Sequence, residues 1–354
     1  MKKKKSTFPI RWTKKWFLSY SKKRRKTRRG IRNGGITRRS KPERRKPGAE
    51  SRPLLAPEKI TMETLSWLPA VKSILRFREV YASTEKQKLE VDYLPSDLRK
   101  RLIHAKEHLK KSEEGFNESF VPLTEVEQRQ VSVAFQNSNR HKILVTHQNS
   151  NIDITGQVLQ CLKPGGWLND EVINVYFGLL KEREQREPEK FLKCHFFNTF
   201  FYTKLISGGN GYDFISVRRW TTQRKIGYGL LECDKIFVPI HTTIHWCLAV
   251  IDKKNRKFQY LDSLKGTDYQ VLKNLARYYK DEVKDKTGKD INTNSWTFEC
   301  AHDIPHQENG SDCGMFMMKY ADFYSRDLAL WFSQKDMPYF RKRTVKEILS
   351  LKAE

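Results

Sequence analysis

The chain has 354 residues, 38% of them apolar and 31% charged, enough to bury one large core or two modest ones and too apolar for a chain disordered throughout. Its formal net charge of +27 is lopsided: residues 1 to 52 hold 22 of the 68 Lys and Arg against two acids, Glu43 and Glu50. No apolar run reaches the roughly 18 residues of a membrane-spanning helix, the charged start lacks the apolar core of a secretory signal, and six scattered cysteines suit a reduced compartment.

Residues 1–52 read as a basic flexible tail. Blocks such as Lys22-Lys23-Arg24-Arg25-Lys26-Thr27-Arg28-Arg29 repel one another and bury too little apolar surface to offset the entropy of ordering. Clustered cations bind acidic surfaces through charge alone, so the tail suits an import receptor and nuclear targeting ahead of nucleic-acid contact; no zinc-finger or basic-zipper pattern accompanies it. Residues 53–119 form a mixed-charge, partly helical linker region, with helix-like pieces at 62–77 and 94–111. Pro69 interrupts or restarts the first. Its apolar stripe at Leu65, Leu68, Val71, Ile74 and Leu75 suits either packing or a partner-binding face. After Pro122 the apolar patterning is dense and continues to the end, which places a folded domain at 120–354 without internal repeats.

Within that domain a helix is expected over 171–180, capped by Asn169 or Asp170. Strand runs follow at 196–202, 235–241, 246–252 and 257–261, then helices at 269–284 and from Cys313 to about 324. Helices and strands are intermixed, the pattern of an α/β or α+β domain. A four-residue loop, Lys253-Lys254-Asn255-Arg256, pairs Asp252 with Lys257. That register sets Cys247 across from Asp262 and points His245, Cys247 and Asp262 the same way, with His245 and Asp262 as diagonal neighbours.

Cys313 sits between Gly310-Ser311-Asp312 and Gly314, where a loop becomes an apolar helix. Unpaired N–H groups and the helix dipole favour a thiolate there. Cys313 is therefore the candidate nucleophile, His245 the base and Asp262 the group that orients the base. Gln307, six residues earlier, offers a side-chain N–H to a developing oxyanion beside the Cys313 N–H, and Gly310 and Gly314 let the backbone turn and approach closely. Singly, each residue has a plainer reading, as a packed thiol or a hydrogen-bonded surface group; together, in this order, they point to a cysteine hydrolase. Neither His241 with His245 nor Cys300, His302, His306 and Cys313 has zinc-site spacing, so no metal and no cofactor are expected.

Trp167-Leu168-Asn169-Asp170-Glu171, His245-Trp246, Tyr260-Leu261-Asp262-Ser263, Gln307-x-Asn309-Gly310-x-Asp312-Cys313-Gly314 and Met337-Pro338-Tyr339-Phe340-Arg341 together resemble the ubiquitin-like-protein-specific (sentrin-specific) cysteine proteases that act on SUMO. The resemblance covers 120–354, and the segments at 193–201 and 346–354 most resemble the plant branch typified by the Early-in-short-days protease. It implies a papain-like cysteine protease fold, a central mixed β-sheet flanked by helices. It further implies a triad of His245, Asp262 and Cys313 with Gln307 at the oxyanion. Trp167 and Trp246 would flank a narrow tunnel for the extended Gly-Gly terminus of SUMO, which flat indoles suit because only glycine lets a backbone pass between them. Asp170 would face basic residues of the modifier, and the charged stretch 182–190 reads as an enlarged loop bearing on partner preference. The expected protein is a monomeric nuclear deSUMOylating enzyme, at the nuclear periphery by its plant-like resemblance. The alternatives are a protease for another modifier such as Nedd8, or a non-catalytic SUMO-binding nuclear scaffold. Against the scaffold stands the presence of all four catalytic residues.

Overall fold

Thr124 accepts the Glu127 N–H while the Glu127 carboxylate accepts the Thr124 N–H at 2.8 Å, a capping box that starts α1 (Glu125–Ala134). The computed structural model describes residues 120–209 and 211–354, so the basic tail and the helical pieces expected at 62–77 and 94–111 lie outside the described residues. A two-stranded antiparallel hairpin, β1 (Ile143–His147) and β2 (Ile152–Thr155), leads into the single turn α2 (Gly156–Leu159) and then α3 (Asp170–Arg186). The ring of Phe120 packs on that of Phe340 at 5.3 Å.

The second sheet has five strands: β3 (Cys194–Phe196), β4 (Lys235–Thr242), β5 (His245–Asp252), β6 (Lys257–Leu261) and β7 (Thr297–Ala301). They lie side by side in chain order, with antiparallel pairing at the centre and parallel pairing at both edges. Short helices α4 (Phe201–Leu205) and α5 (Gln223–Ile226) lie between β3 and β4. Helix α6 (Tyr269–Thr287) follows β6, and α7 (Cys313–Ser325) and α8 (Met337–Leu349) close the chain. The structure matches the expected α+β class with a mixed central sheet.

Strand parity sorts the core into two layers. Ile236, Val238, Ile240, Cys247, Ala249, Ile251, Phe258 and Tyr260 share a layer with α4 and α6, whereas Phe237, Trp246, Leu248, Val250 and Leu261 share one with α3 and α7. Burial on both faces explains the nearly continuous apolar runs of β4 and β5. The expected pairing of Asp252 with Lys257 is present, and the strand bounds differ from expectation by a residue at most.

Two expectations fail. The strand read at 196–202 ends at Phe196, because Asn198 turns the chain: its side chain accepts the Phe200 N–H, its carbonyl accepts the Phe201 N–H, and Asn174 of α3 accepts the neighbouring Thr199 N–H. The charged stretch 182–190 is not all loop, since α3 continues to Arg186. That extra turn buries Arg183, whose guanidinium meets Asp322 at 2.7 Å.

Twelve of the thirteen residues of α7 are buried, two of them charged. Asp322 takes the Lys319 ammonium at 3.0 Å and the Arg326 Nε at 3.2 Å besides Arg183, and the Lys319 ammonium also donates to the Tyr176 hydroxyl. Burial opposes ionisation of this carboxyl, but its three cations outweigh that and hold it well below the carboxylate range. Replacing Asp322 with Ala strands those cations in the interior, and urea unfolding should show a loss of about 3–5 kcal/mol; a loss below about 1 kcal/mol contradicts the assigned network.

Candidate active site

Asp262 follows the last residue of β6, and the register brings it beside His245, the first residue of β5. His245 Nε2 meets Asp262 Oδ1 at 2.6 Å, and the same oxygen accepts the Leu264 N–H at 2.8 Å. With Nε2 engaged by the carboxylate, Nδ1 is the nitrogen left for a thiol, and the Cys313 thiol bears on the ring as a hydrogen-bond partner. The hydrogen bond to Asp262, reinforced by Cys247 and Cys313, carries His245 far above its ordinary value near 6.5. Burial works to raise Asp262, but the hydrogen bonds from His245 and the Leu264 N–H prevail and hold it low. The carboxylate therefore favours the protonated ring over the neutral one. His245, Asp262 and Cys313, singled out in the sequence, are thus brought together, and Cys247 stands beside them, unassigned by the sequence reading to any role.

Cys313 opens α7, where the first N–H groups have no intrahelical acceptor. The loop before it is tightly held. Gln307 Oε1 accepts the Ser263 hydroxyl at 2.6 Å, and Gln307 Nε2 donates to the Asn309 carbonyl at 2.5 Å, which leaves the second Nε2 hydrogen for a charged oxygen. Asn309 Oδ1 accepts the N–H groups of Ser311 and Asp312. Asp312 in turn accepts from Asn309 and Gln334 at 2.7 Å each and from Arg341 Nε at 2.8 Å.

Arg341 is the residue the sequence reading quoted without a role. From α8 its guanidinium donates to Asp312 and to the carbonyls of Cys161, Lys163, Gly166 and Ser311, binding the nucleophile loop to the segment that carries Trp167. Only its place in the Met337-Pro338-Tyr339-Phe340-Arg341 motif hinted at this; its partners lie up to 180 residues away.

The two tryptophans differ. Trp246 is 4% exposed, donates its indole N–H to the Leu168 carbonyl at 3.3 Å and packs on the His241 ring, whereas Trp167 is 51% exposed. Leu168 also lies against the start of α7: a Cβ on Gly314 would come within 2.8 Å of the Leu168 Cβ, so glycine there permits the close approach. A Cβ on Gly310 meets open space, and its φ is not positive, so the expected need for glycine does not hold at that position. Asn169, not Asp170, caps α3, accepting the Val172 N–H at 2.9 Å; Asp170 is the first helical residue and half-buried.

The clamp makes a pH prediction. In a Cys313→Ala background, which removes one of the two thiols coupled to the ring and leaves Cys247 in both proteins, Asp262→Ala should drop the His245 midpoint, read by NMR, toward the ordinary value near 6.5. Because the carboxylate raises the folded value, the mutant ring should be neutral at pH 8 where the Asp262-containing protein remains protonated; coincident titrations contradict the clamp.

The model of the Ulp1 protease family, C-terminal catalytic domain, matches residues 166–352. The chain is 55% identical to the ubiquitin-like-specific protease ESD4 of Arabidopsis thaliana over 80% of its own length and 59% of that protein's. It is 62% identical to ubiquitin-like-specific protease 1A of the same plant, over 67% of its own length and 47% of that protein's. It thus spans about half the length of these curated relatives. Among solved structures, the C-terminal Ulp1 protease domain in complex with Smt3, the yeast ortholog of SUMO, superposes with a TM-score of 0.54 at 31% identity, covering 65% of this chain and 97% of that one. With the matched region enclosing His245, Asp262, Gln307 and Cys313, the chain belongs to the Ulp1 protease family.

Proposed function

We propose that this chain is a SUMO-specific cysteine protease that cuts after the C-terminal Gly-Gly of SUMO, freeing SUMO from the lysines of conjugated proteins and trimming SUMO precursors. The observation that carries the reading is the 2.6 Å bond from His245 Nε2 to Asp262, with the Cys313 thiol on the same ring and Gln307 beside it. The solved relative bound to Smt3 supports the choice of modifier.

In the proposed reaction the Cys313 thiolate attacks the carbonyl carbon after Gly-Gly. A C–S bond forms as the carbonyl π pair moves to oxygen, where the Cys313 N–H and Gln307 Nε2 receive it. His245 Nδ1 gives its proton to the lysine nitrogen as the C–N bond breaks and the carbonyl re-forms. The neutral ring then takes a proton from water, whose oxygen attacks the thioester and expels Cys313. Asp262 stays ionised and stabilises the imidazolium. Trp167, exposed beside the Gly314–Leu168 contact, is suited to cover an extended glycine backbone over Trp246, and Asp170 is suited to meet basic residues of the modifier. All three triad members come from one chain, consistent with a monomer. The tail at 1–52, with 22 basic residues, would serve nuclear import or contact with nucleic acid, consistent with residence in the nucleus, and the plant-like resemblance would place the protein at its periphery.

Cys313→Ala should abolish cleavage of a SUMO-conjugated substrate, and Gln307→Ala should lower kcat about 100- to 1,000-fold with a smaller effect on KM. Undiminished cleavage by Cys313→Ala overturns the mechanism. Parallel SUMO, Nedd8 and ubiquitin reporters decide the modifier, and preferential Nedd8 turnover overturns the assignment to SUMO. Deleting residues 1–52 should reduce nuclear accumulation; unchanged accumulation refutes targeting by the tail.

A further inference from the structure

Cys247 takes no part in the proposed reaction, yet it is two residues from His245 on β5 and on the same face of the sheet. Strand pairing places it across from Asp262, and one donor atom each from His245, Cys247 and Asp262 lies within 4.8 Å of the others. The set is one imidazole nitrogen, one sulfur and one carboxylate oxygen. Hard cations such as magnesium and calcium seek oxygen alone, whereas zinc takes nitrogen, sulfur and oxygen together. Zinc at about 2.0–2.3 Å from each donor needs them about 3.3–3.7 Å apart. The Nε2 to Oδ1 separation of 2.6 Å therefore has to open by roughly an ångström, within reach of small side-chain rotations.

We propose that His245, Cys247 and Asp262 form a zinc-binding site, with a water as fourth ligand, through which zinc ions reversibly inhibit this protein. The sequence reading dismissed zinc on the spacing of His241 with His245 and of Cys300, His302, His306 and Cys313, and did not weigh His245 with Cys247 and Asp262, which the β5–β6 register assembles. The approach is from the His245 side, whose side chain is 15% exposed, while Cys247 forms the buried floor. Outer contacts suit the role: the Leu264 N–H donates to Asp262 Oδ1 at 2.8 Å, and Tyr260 bears on the Cys247 sulfur.

Binding replaces the proton between His245 and Asp262 with the metal and releases the Cys247 thiol proton to solvent; no electron transfer is involved. The bound imidazole keeps one proton, on Nδ1. To protonate a leaving amine it would have to become imidazolate, so the acid–base cycle stops. Capture of His245 also removes the imidazolium that faces Cys313.

The test uses the full chain carrying Cys313→Ala, so that the nucleophile contributes no sulfur and zinc affinity is read without turnover. A chelator-dye competition should show one zinc bound, and adding Cys247→Ala should weaken it at least about 10-fold, as loss of a ligand costs no less than loss of an outer partner. Cobalt should give a thiolate charge-transfer band in the first protein and none in the second. Cys247→Ser, nearly isosteric, serves if the alanine variant fails to fold. With Cys313 restored, zinc should inhibit cleavage reversibly on chelation, and Cys247→Ala should raise the inhibitory concentration by a similar factor, each protein compared with its own metal-free rate. No zinc bound by the Cys313→Ala protein, or affinity indifferent to Cys247, overturns the site. Either result leaves the protease reading intact, because that binding assay requires no catalysis.

Discussion

The pairing of Asp252 with Lys257 decides where the chemistry lies. Side chains along a strand alternate with a period of two, so a slip of one residue between β5 and β6 would turn Asp262 to the opposite face from His245. Such a slip would also turn Phe258 and Tyr260 away from α6 and Leu261 away from the layer of α3 and α7. Both faces of these strands are buried, so the apolar cost of a slip is paid twice over. The 2.6 Å contact between His245 and Asp262 is thus held by hydrophobic burial far more than by its own attraction.

Cys313 reaches the same place by a different physics. Helix α7 is pinned in the core by apolar contacts and by Asp322 among its cations. The loop before it is pinned by hydrogen bonds that pass from Ser263 through Gln307 and Asn309 to Asp312 and Arg341. Donors fixed in this way need not reorganise as charge develops, which is how an oxyanion site lowers a barrier. Arg341 extends the frame to the stretch of chain bearing Trp167, so the loop before Cys313 and the exposed indole share one anchor.

The parts legible in sequence were those governed by short periods. Alternation and a four-residue loop were enough to pair β5 with β6, and a glycine-bracketed cysteine before an apolar run marked the start of α7. Longer-range forces hid the rest. Residues 196–202 look like a strand because Phe and Tyr are good strand formers, yet Asn174 of a distant helix captures the Thr199 N–H and the chain turns. Residues 182–186 look like charged loop because a buried arginine reads as an exposed one until Asp322 is brought to it. The same limit applies to Arg341, whose acceptors are mostly backbone carbonyls that leave no mark in composition. The unlike settings of Trp167 and Trp246 also follow from tertiary packing. Alternation puts Cys247 on the same face as His245 and Asp262, but the closeness of their donor atoms is a matter of distance that a period of two does not give.

The central claim is that a sulfur, an imidazole and a carboxylate from three separate elements act as one site on one modifier. Reaction of the full chain with SUMO carrying an electrophile in place of its terminal carboxylate, followed by peptide mapping, tests this most directly. The account predicts a single adduct, on Cys313, formed much more slowly by Asp262→Ala. An adduct on Cys247 or another cysteine, or none at all with a folded protein, would contradict it.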